Sequence, residues 1–504
     1  MKRAKKVLAA MLTMVMILAM GMTAYAATVK INDANGDNSE YSAYQLFTAI
    51  IDENGTDDES DDAVAYSVNS KYQTILAEIT GKASSNDMVD YISALDTADA
   101  QRNFGDTVYA AIKEESLTAD ATTTSQSFEL DPGYYLIVET TLGTNADGKP
   151  GTYSLVILDT AKNNNMTITT KEDVPTLVKK VQETNDTENT TTDWQDGADY
   201  DCGDAVPFKL TGTLPSNYAS YKTYYYSFAD KLAAGLTFDS SSVVVKVDGT
   251  KITSGYEVVT TGLSDGYTFE VRFANLKNIT SVTANSTITV EYSATVNTNA
   301  VIGAAGNPNV AKLVYSNDPY YDGNGTESTS ETPEDKVIVF TYQVTVNKVN
   351  TSGNPLKGAG FTLYKSVAGN YVAVGSEVKG NDITTFEFKG LDAGTYKLVE
   401  STVPTGFNKA DDLIFEISAA YDTESDNPAL TGVAAKDEAG KAISGVADAI
   451  FTISDGVFTV EIENVSGILL PTTGGIGTTI FYIVGAALMI TAVVLLVAKK
   501  RKAN

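Results

Sequence analysis

From Phe128 to about residue 466 the chain is written in short β-branched and aromatic runs, punctuated by Gly, Asn and Asp turns. Runs such as Tyr134-Tyr135-Leu136-Ile137-Val138 and Tyr153–Leu158 follow period two, and their spacing is that of antiparallel sandwiches. Helical spacing is confined to the N-terminal part. Tyr44, Phe47, Ile50 and Ile51 fit one helical face, as do Tyr72, Ile75, Leu76 and Ile79, and two short helices are expected through Val89–Leu95 and Val108–Ile112. The expected fold is therefore mainly β: three tandem immunoglobulin-like sandwiches, the first decorated with helices. The hinge Asp173-Val174-Pro175 and the polar stretch 322–335 set the expected domains at 27–171, 172–336 and 337–466.

Composition removes whole classes of function. The 504 residues include no His and one Cys, Cys202. Imidazole bases, His-ligated metals, internal disulfides and zinc knuckles are all excluded. A formal charge of -28 argues against nucleic acid and against an anionic membrane surface as partners. With 43% apolar residues the acidity decorates real cores. No cofactor is expected. Asp33-Ala34-Asn35-Gly36-Asp37 opens like a calcium loop, but Asn38 and Tyr44 stand where Gly and a bidentate Glu are needed, so a turn is expected there. The acidic run 52–62 reads as a solvated loop, and Trp194 as a loop or packing residue of the middle domain.

Both ends carry addresses. Lys2, Arg3, Lys5 and Lys6, an apolar run from Val7 to Met22 and Ala24-Tyr25-Ala26 make an export signal, cleaved after Ala26. At the other end Leu470-Pro471-Thr472-Thr473-Gly474 precedes an apolar stretch, 476–498, long enough to span a bilayer as a helix, and then Lys499-Lys500-Arg501-Lys502. This order resembles the LPxTG cell-wall sorting signal of Gram-positive surface proteins. The resemblance implies that a membrane sortase cuts between Thr473 and Gly474 and passes the Thr473 carbonyl to an amine, leaving the protein in the membrane only as a precursor. Each address carries four basic residues and no acid, so the chain between them has 28 basic and 64 acidic residues, a net charge of -36. Exported domains commonly rely on disulfides for covalent stiffness. Here none can form.

The residues that promise chemistry are core-directed lysines. Alternation along Phe340–Lys348 puts Tyr342, Val344, Val346 and Lys348 on one face, which ends in an ammonium that is costly to bury unpaired. Glu400 closes Tyr396-Lys397-Leu398-Val399-Glu400, and Asn464 closes Val460–Asn464. Burial favours a neutral, nucleophilic Lys and a protonated Glu, which could polarise an Asn carbonyl and shuttle protons while ammonia leaves. The residues alone allow two readings: an intramolecular isopeptide bond, or a Lys–Glu ion pair at a strand edge with Asn in a turn. The middle domain repeats the pattern. Lys179 shares a face with Leu177 and Val181, Asp230 ends a strand-like run 51 residues later (Lys348 to Glu400 is 52), and Asn317 lies near the domain's end. Lys180 is the rival nucleophile, since an offset of one flips the face. Asn307 and Asn309 are alternative acceptors. In the first domain Lys30 and the E-box-like Glu139 leave a third crosslink open, but a plain salt bridge is the expectation.

Two stretches carry a family resemblance. Lys348-Val349-Asn350 through Pro355–Tyr364 is similar to the opening of collagen-adhesin B-type (CnaB-like) domains of sortase-assembled pilins, and Tyr396–Phe407 resembles the pilin E-box, with Phe407 where Tyr is commoner. The resemblance implies Lys348 as crosslinking lysine, Glu400 as the promoting acid and Asn464 as acceptor. In the middle domain it implies Lys179, Asp230 and Asn317, Asp being frequent there. Ile168-Thr169-Thr170-Lys171-Glu172 stands where such pilins carry the pilin motif, keeping only its apolar residue and its Lys. Lys171 is thereby the expected amine for Thr473 of the next subunit, with Lys162 as a rival.

The expectation is a shaft pilin rather than an enzyme, crosslinking itself once and polymerised head to tail. Implied partners are identical subunits, a class C-type pilin sortase, a housekeeping sortase, accessory pilins and host surface ligands. A monomeric wall-anchored adhesin or an accessory pilin is the alternative. An acid/base pair of Glu114 and Glu115 would be needed for a surface enzyme, and their spacing gives no support for one.

Overall fold

The computed structural model describes residues 26–33, 39–52, 63–144, 151–161, 165–170, 174–321, 323, 325–326, 328–437, 451–467, 484–486 and 488–493. The export signal, most of the candidate calcium loop, Lys162, Lys171 and Leu470–Gly474 lie outside the described residues. Of the apolar stretch 476–498 only helical pieces, 484–486 and 488–493, are described. Among the described residues no helix is long and apolar enough to cross a membrane.

The fold is mainly β, and among the described residues its six larger sheets come in three pairs, beside one two-stranded ribbon. By contact the chain divides into two compact units. The first comprises residues 1–184, 191–341 and 420–431; the second comprises 185–190, 342–419 and 432–504. The first unit therefore holds both stretches expected as separate domains. Its N-terminal sheets are a three-stranded one, ordered Ser127–Leu130, Ala27–Asn32, Asn165–Thr169, and a five-stranded one centred on Glu40–Asp52 and Gly133–Thr141. Val29, Ile31, Phe128 and Ile168 of the first meet Tyr41, Ala43, Tyr135 and Ile137 of the second. Three helices cover the far face: α1 (Gln73–Thr80), α2 (Ser85–Ser93) and α3 (Ala98–Glu114). Ile75, Leu76, Met88, Val108 and Ile112 pack there on Tyr44, Leu46, Phe47 and Leu136. Ser84 and Thr97 cap α2 and α3 by accepting the amides of Asp87 and Ala100.

One expected helix is a strand. Tyr44, Phe47, Ile50 and Ile51 lie in Glu40–Asp52, which is buried on both faces from Tyr41 to Phe47, and a bulge between Gln45 and Phe47 resets its alternation. The extra residue brings Tyr44 and Phe47 into one core at a spacing of three, which imitates a helix turn.

The middle sheets share one core. One sheet runs Thr250–Ile252, Leu236–Val247, Ile288–Val296, Ala205–Gly212, Leu177–Val181; the other is built around Asn307–Ser316 and Tyr226–Leu232. Phe208, Leu210 and Val290 of the first meet Phe228, Val271 and Leu313 of the second. In the second unit a four-stranded sheet runs Thr385–Leu391, Tyr342–Asn350, Val457–Asn464, Phe451–Ser454. Its first and last strands are parallel neighbours, with Lys348 opposite Ile462 and Asn350 opposite Asn464. Phe361 of the facing sheet meets Phe386 with ring centroids 5.0 Å apart.

Candidate functional site

In the second unit the strands deliver three polar groups to one buried point. Lys348 leaves Tyr342–Asn350 towards the core, Glu400 comes from Gly394–Thr402, and Asn464 ends the last strand; none is more than 2% exposed. Asn464 Nδ2 donates to Glu400 Oε1 at 2.8 Å, and Lys348 Nζ lies 4.0 Å from that same oxygen. Glu400 Oε2 accepts the Ala410 amide at 2.7 Å. The ammonium donates to the Ile462 carbonyl at 2.6 Å, and Asn464 Oδ1 has no hydrogen-bond partner. Burial pushes the Lys348 amine from its usual 10.5 down to about 8, against the pull of Glu400 and Glu463. A nucleophile, an acid and an unengaged carbonyl therefore meet where water does not reach.

This shift has a sign that can be measured. Between pH 8 and 10.5 an unfolded Lys348 holds more proton than the folded one, so the contribution of this one group to stability rises with pH in that window. Buried tyrosines titrate with the opposite sign towards pH 10, so the effect is read as a difference: the urea midpoint of Asn464→Ala, which keeps the free amine, is expected to rise relative to that of Lys348→Met from pH 8 to pH 10. An unchanged or falling difference between the two variants would contradict the burial of a free amine.

The middle region holds a second cluster. Lys179 and Asp230 are fully buried and paired at 2.5 Å. Tyr292 donates to Asp230 Oδ2 at 2.7 Å and accepts from Lys179 Nζ at 2.9 Å. Asn309 Nδ2 donates to the same Tyr292 oxygen at 2.8 Å. Burial pushes Lys179 down and Asp230 up, against their mutual attraction. Asp230 Oδ1 and Asn309 Oδ1 are buried without a partner, as two acceptors are until the acid takes up a proton.

Asn317, the expected acceptor, is elsewhere. It is buried, but its amide donates to the Gly151 carbonyl and its carbonyl accepts from Ser328. The register explains the difference. Asp230 pairs with Ala311, so Asn309 is one step away on the same face, whereas Asn317 is six residues along, on the order of 20 Å. Asn307 binds the Val301 and Val339 backbones instead. Lys180, the rival nucleophile, points to the other face and pairs with Asp196 and Glu424. Tyr292 was not anticipated: alternation along Ile288–Val296 marks it as core, and only the three-dimensional register reveals its neighbours.

Burial alone does not mark a reactive lysine. Lys365, in the second unit, is as buried as Lys348 but lies between Asp186 and Asp392 at 2.8 and 2.7 Å, an ion-paired arrangement. The salt bridge expected in the first region is absent among the described residues. Lys30 is exposed, and the buried Glu139 accepts from the Ser39 hydroxyl and the Ser154 amide. Glu114 and Glu115 are exposed, as is Cys202, and Trp194 is half-buried with Lys209 Nζ 4.5 Å from its ring centre.

Comparison with known proteins bears on the domains that carry these clusters. Residues 202–319 match the model for the Gram-positive pilin backbone subunit 2, Cna-B-like domain. Residues 342–428 match a prealbumin-like fold domain, and 463–504 the LPXTG cell wall anchor motif. The trypsin-resistant surface T6 protein of Streptococcus pyogenes serotype M6 is 29% identical over 393 residues, covering 66% of this chain and 70% of that protein. The solved T6 backbone pilin of S. pyogenes serotype M6 shares the fold at a TM-score of 0.51 and 18% identity, over 88% of this chain and 99% of its own. The full-length major pilin SpaD of Corynebacterium diphtheriae superposes at a TM-score of 0.48, with 16% identity, over 89% of this chain and 100% of its own.

Cna-B-like sandwiches followed by a sorting motif define a cell-wall-anchored surface protein of the Gram-positive type. Within that class the chain's domain match and its relative are those of backbone pilins. It is a structural subunit of a pilus shaft and a sortase substrate, and no enzymatic family is indicated.

Proposed function

We propose that this subunit is polymerised by transfer of its Thr473 carbonyl to Lys171 of the next copy, and that two internal isopeptide bonds, Lys348–Asn464 and Lys179–Asn309, stiffen it. Glu400 and Asp230 promote these bonds, each once per molecule, so the chain has no turnover. A class C-type pilin sortase makes the polymer, and a housekeeping sortase attaches its base to the wall. Domain boundaries near residues 171 and 336 then put Lys171 at the first junction. The observation that carries the internal bonds is the joint burial of Lys348 and Asn464, on adjacent first and last strands, with Glu400 from the facing sheet. Tension entering at the C-terminus would pass from Asn464 into the first strand through a covalent bond.

A wall extract tests the assembly. Wild-type chain is expected as an SDS-resistant ladder, and Lys171→Ala as a single wall-attached species with essentially all of the ladder gone. A ladder that persists in Lys171→Ala but disappears in Lys162→Ala would move the junction to Lys162; a single species in wild type would return the chain to a monomeric wall protein.

A further inference from the structure

One hydroxyl touches all three reacting groups of the middle cluster. Tyr292 Oη lies 2.9 Å from Lys179 Nζ, 2.8 Å from Asn309 Nδ2 and 2.7 Å from Asp230 Oδ2. We propose that Tyr292 is a catalytic residue of this crosslink, its hydroxyl carrying a proton from the attacking lysine nitrogen to the departing asparagine nitrogen. The inference rests on the reading of Lys179–Asn309 as an isopeptide pair.

The proton accounting follows from the contacts. Lys179 first gives one proton to Asp230 across their 2.5 Å contact, which leaves a neutral amine and a carboxylic acid. The phenolic hydrogen, no longer needed by the carboxylate, is free to turn towards Asn309. Nζ then attacks the Asn309 side-chain carbon. As the new C–N bond forms, Nζ hands a proton to Tyr292 Oη, and Tyr292 hands its own to Nδ2. The C–Nδ2 bond breaks and ammonia leaves. Tyr292 ends as a phenol, Asp230 keeps the proton from the ammonium, and charge is conserved at zero throughout. Direct transfer between the two nitrogens would need a strained four-membered ring, whereas the hydroxyl bridges them at ordinary hydrogen-bond lengths.

The surroundings suit the task. Tyr292 is fixed by stacking on Phe208 (centroids 5.3 Å apart) and by an edge contact with Phe269 (4.8 Å). Burial and the neighbouring carboxylate hold its hydroxyl well above the usual phenol range, so it keeps the proton it must deliver. In the second unit Lys348 donates hydrogen bonds to the Ile462 and Val349 carbonyls, and Glu400 itself accepts from Asn464 Nδ2. The two crosslinks therefore differ in their need for a hydroxyl, and one serves as the internal control for the other.

The test uses residues 27–469, which include every described strand, in wild-type, Tyr292→Phe and Asp230→Ala forms. Peptide mapping follows the Lys179–Asn309 and Lys348–Asn464 linkages with time after purification. Tyr292→Phe, which preserves the ring packing, is expected to form the Lys348–Asn464 bond normally and the Lys179–Asn309 bond on the order of a hundredfold more slowly. Wild-type linking in Tyr292→Phe, with none in Asp230→Ala, overturns the role of Tyr292 alone. No Lys179–Asn309 linkage in wild type overturns both this inference and the reading beneath it. Fluorotyrosine at position 292 separates chemistry from packing. Its more acidic hydroxyl changes the rate of linking at a fixed pH if the proton passes through it, and an unchanged rate overturns the relay.

Discussion

Asp230→Ala is expected to melt far below wild type, by on the order of 10–20 °C for the middle sandwich. Two losses coincide. Without the acid the Lys179–Asn309 bond does not form, and a closed loop of roughly 130 residues contributes on the order of 5 kcal/mol in the entropic account of crosslinks. The substitution also strips a fully buried ammonium of its charged partner, Asp230 Oδ2 at 2.5 Å. Breaking a buried pair in this way costs about 3–5 kcal/mol, a cost limited by the ability of Lys179 to shed its proton. Thermal unfolding followed by circular dichroism checks this. A melting temperature within a degree or two of wild type would mean that the pair contributes neither a bond nor a buried contact.

Glu400→Ala is the second large effect and should be the smaller of the two. Here too a crosslink is lost, closing a loop of roughly 115 residues and contributing on the order of 5 kcal/mol. Lys348, however, keeps the Ile462 and Val349 carbonyls as acceptors, and its contact with Glu400 is only 4.0 Å. The orphaned-charge penalty is correspondingly slight. The second unit should lose stability while the middle sandwich keeps its own transition, read as two separable steps in a thermal scan. A Glu400→Ala loss exceeding that of Asp230→Ala would reverse the ranking that these contacts imply.

The sequence made some of this legible. Lys348, Glu400 and Asn464 could be picked out because each ends a period-two run in phase with apolar neighbours, and all three arrive at one point. Lys179 and Asp230 followed from the same phase argument. Asn309 did not, because Asn309 and Asn317 share a parity and differ only in depth, Asn309 near the start of Asn307–Ser316 and Asn317 just past its end. Depth is set by pairing with Tyr226–Leu232, which no one-dimensional pattern records. Tyr292 was hidden for a related reason: an inward tyrosine in a strand is ordinary core until the register brings Lys179, Asp230 and Asn309 to its hydroxyl. The strand at Tyr44 was misread because its bulge and double-sided burial erase the alternation that identifies strands.

The most direct measurement is fragment sequencing of proteolysed residues 27–469, after intact mass has been recorded. The account predicts a mass short by two ammonia molecules and two branched peptides, one joining Lys348 to Asn464 and the other Lys179 to Asn309. A full intact mass, with Lys348 and Asn464 recovered in separate linear peptides, would contradict it.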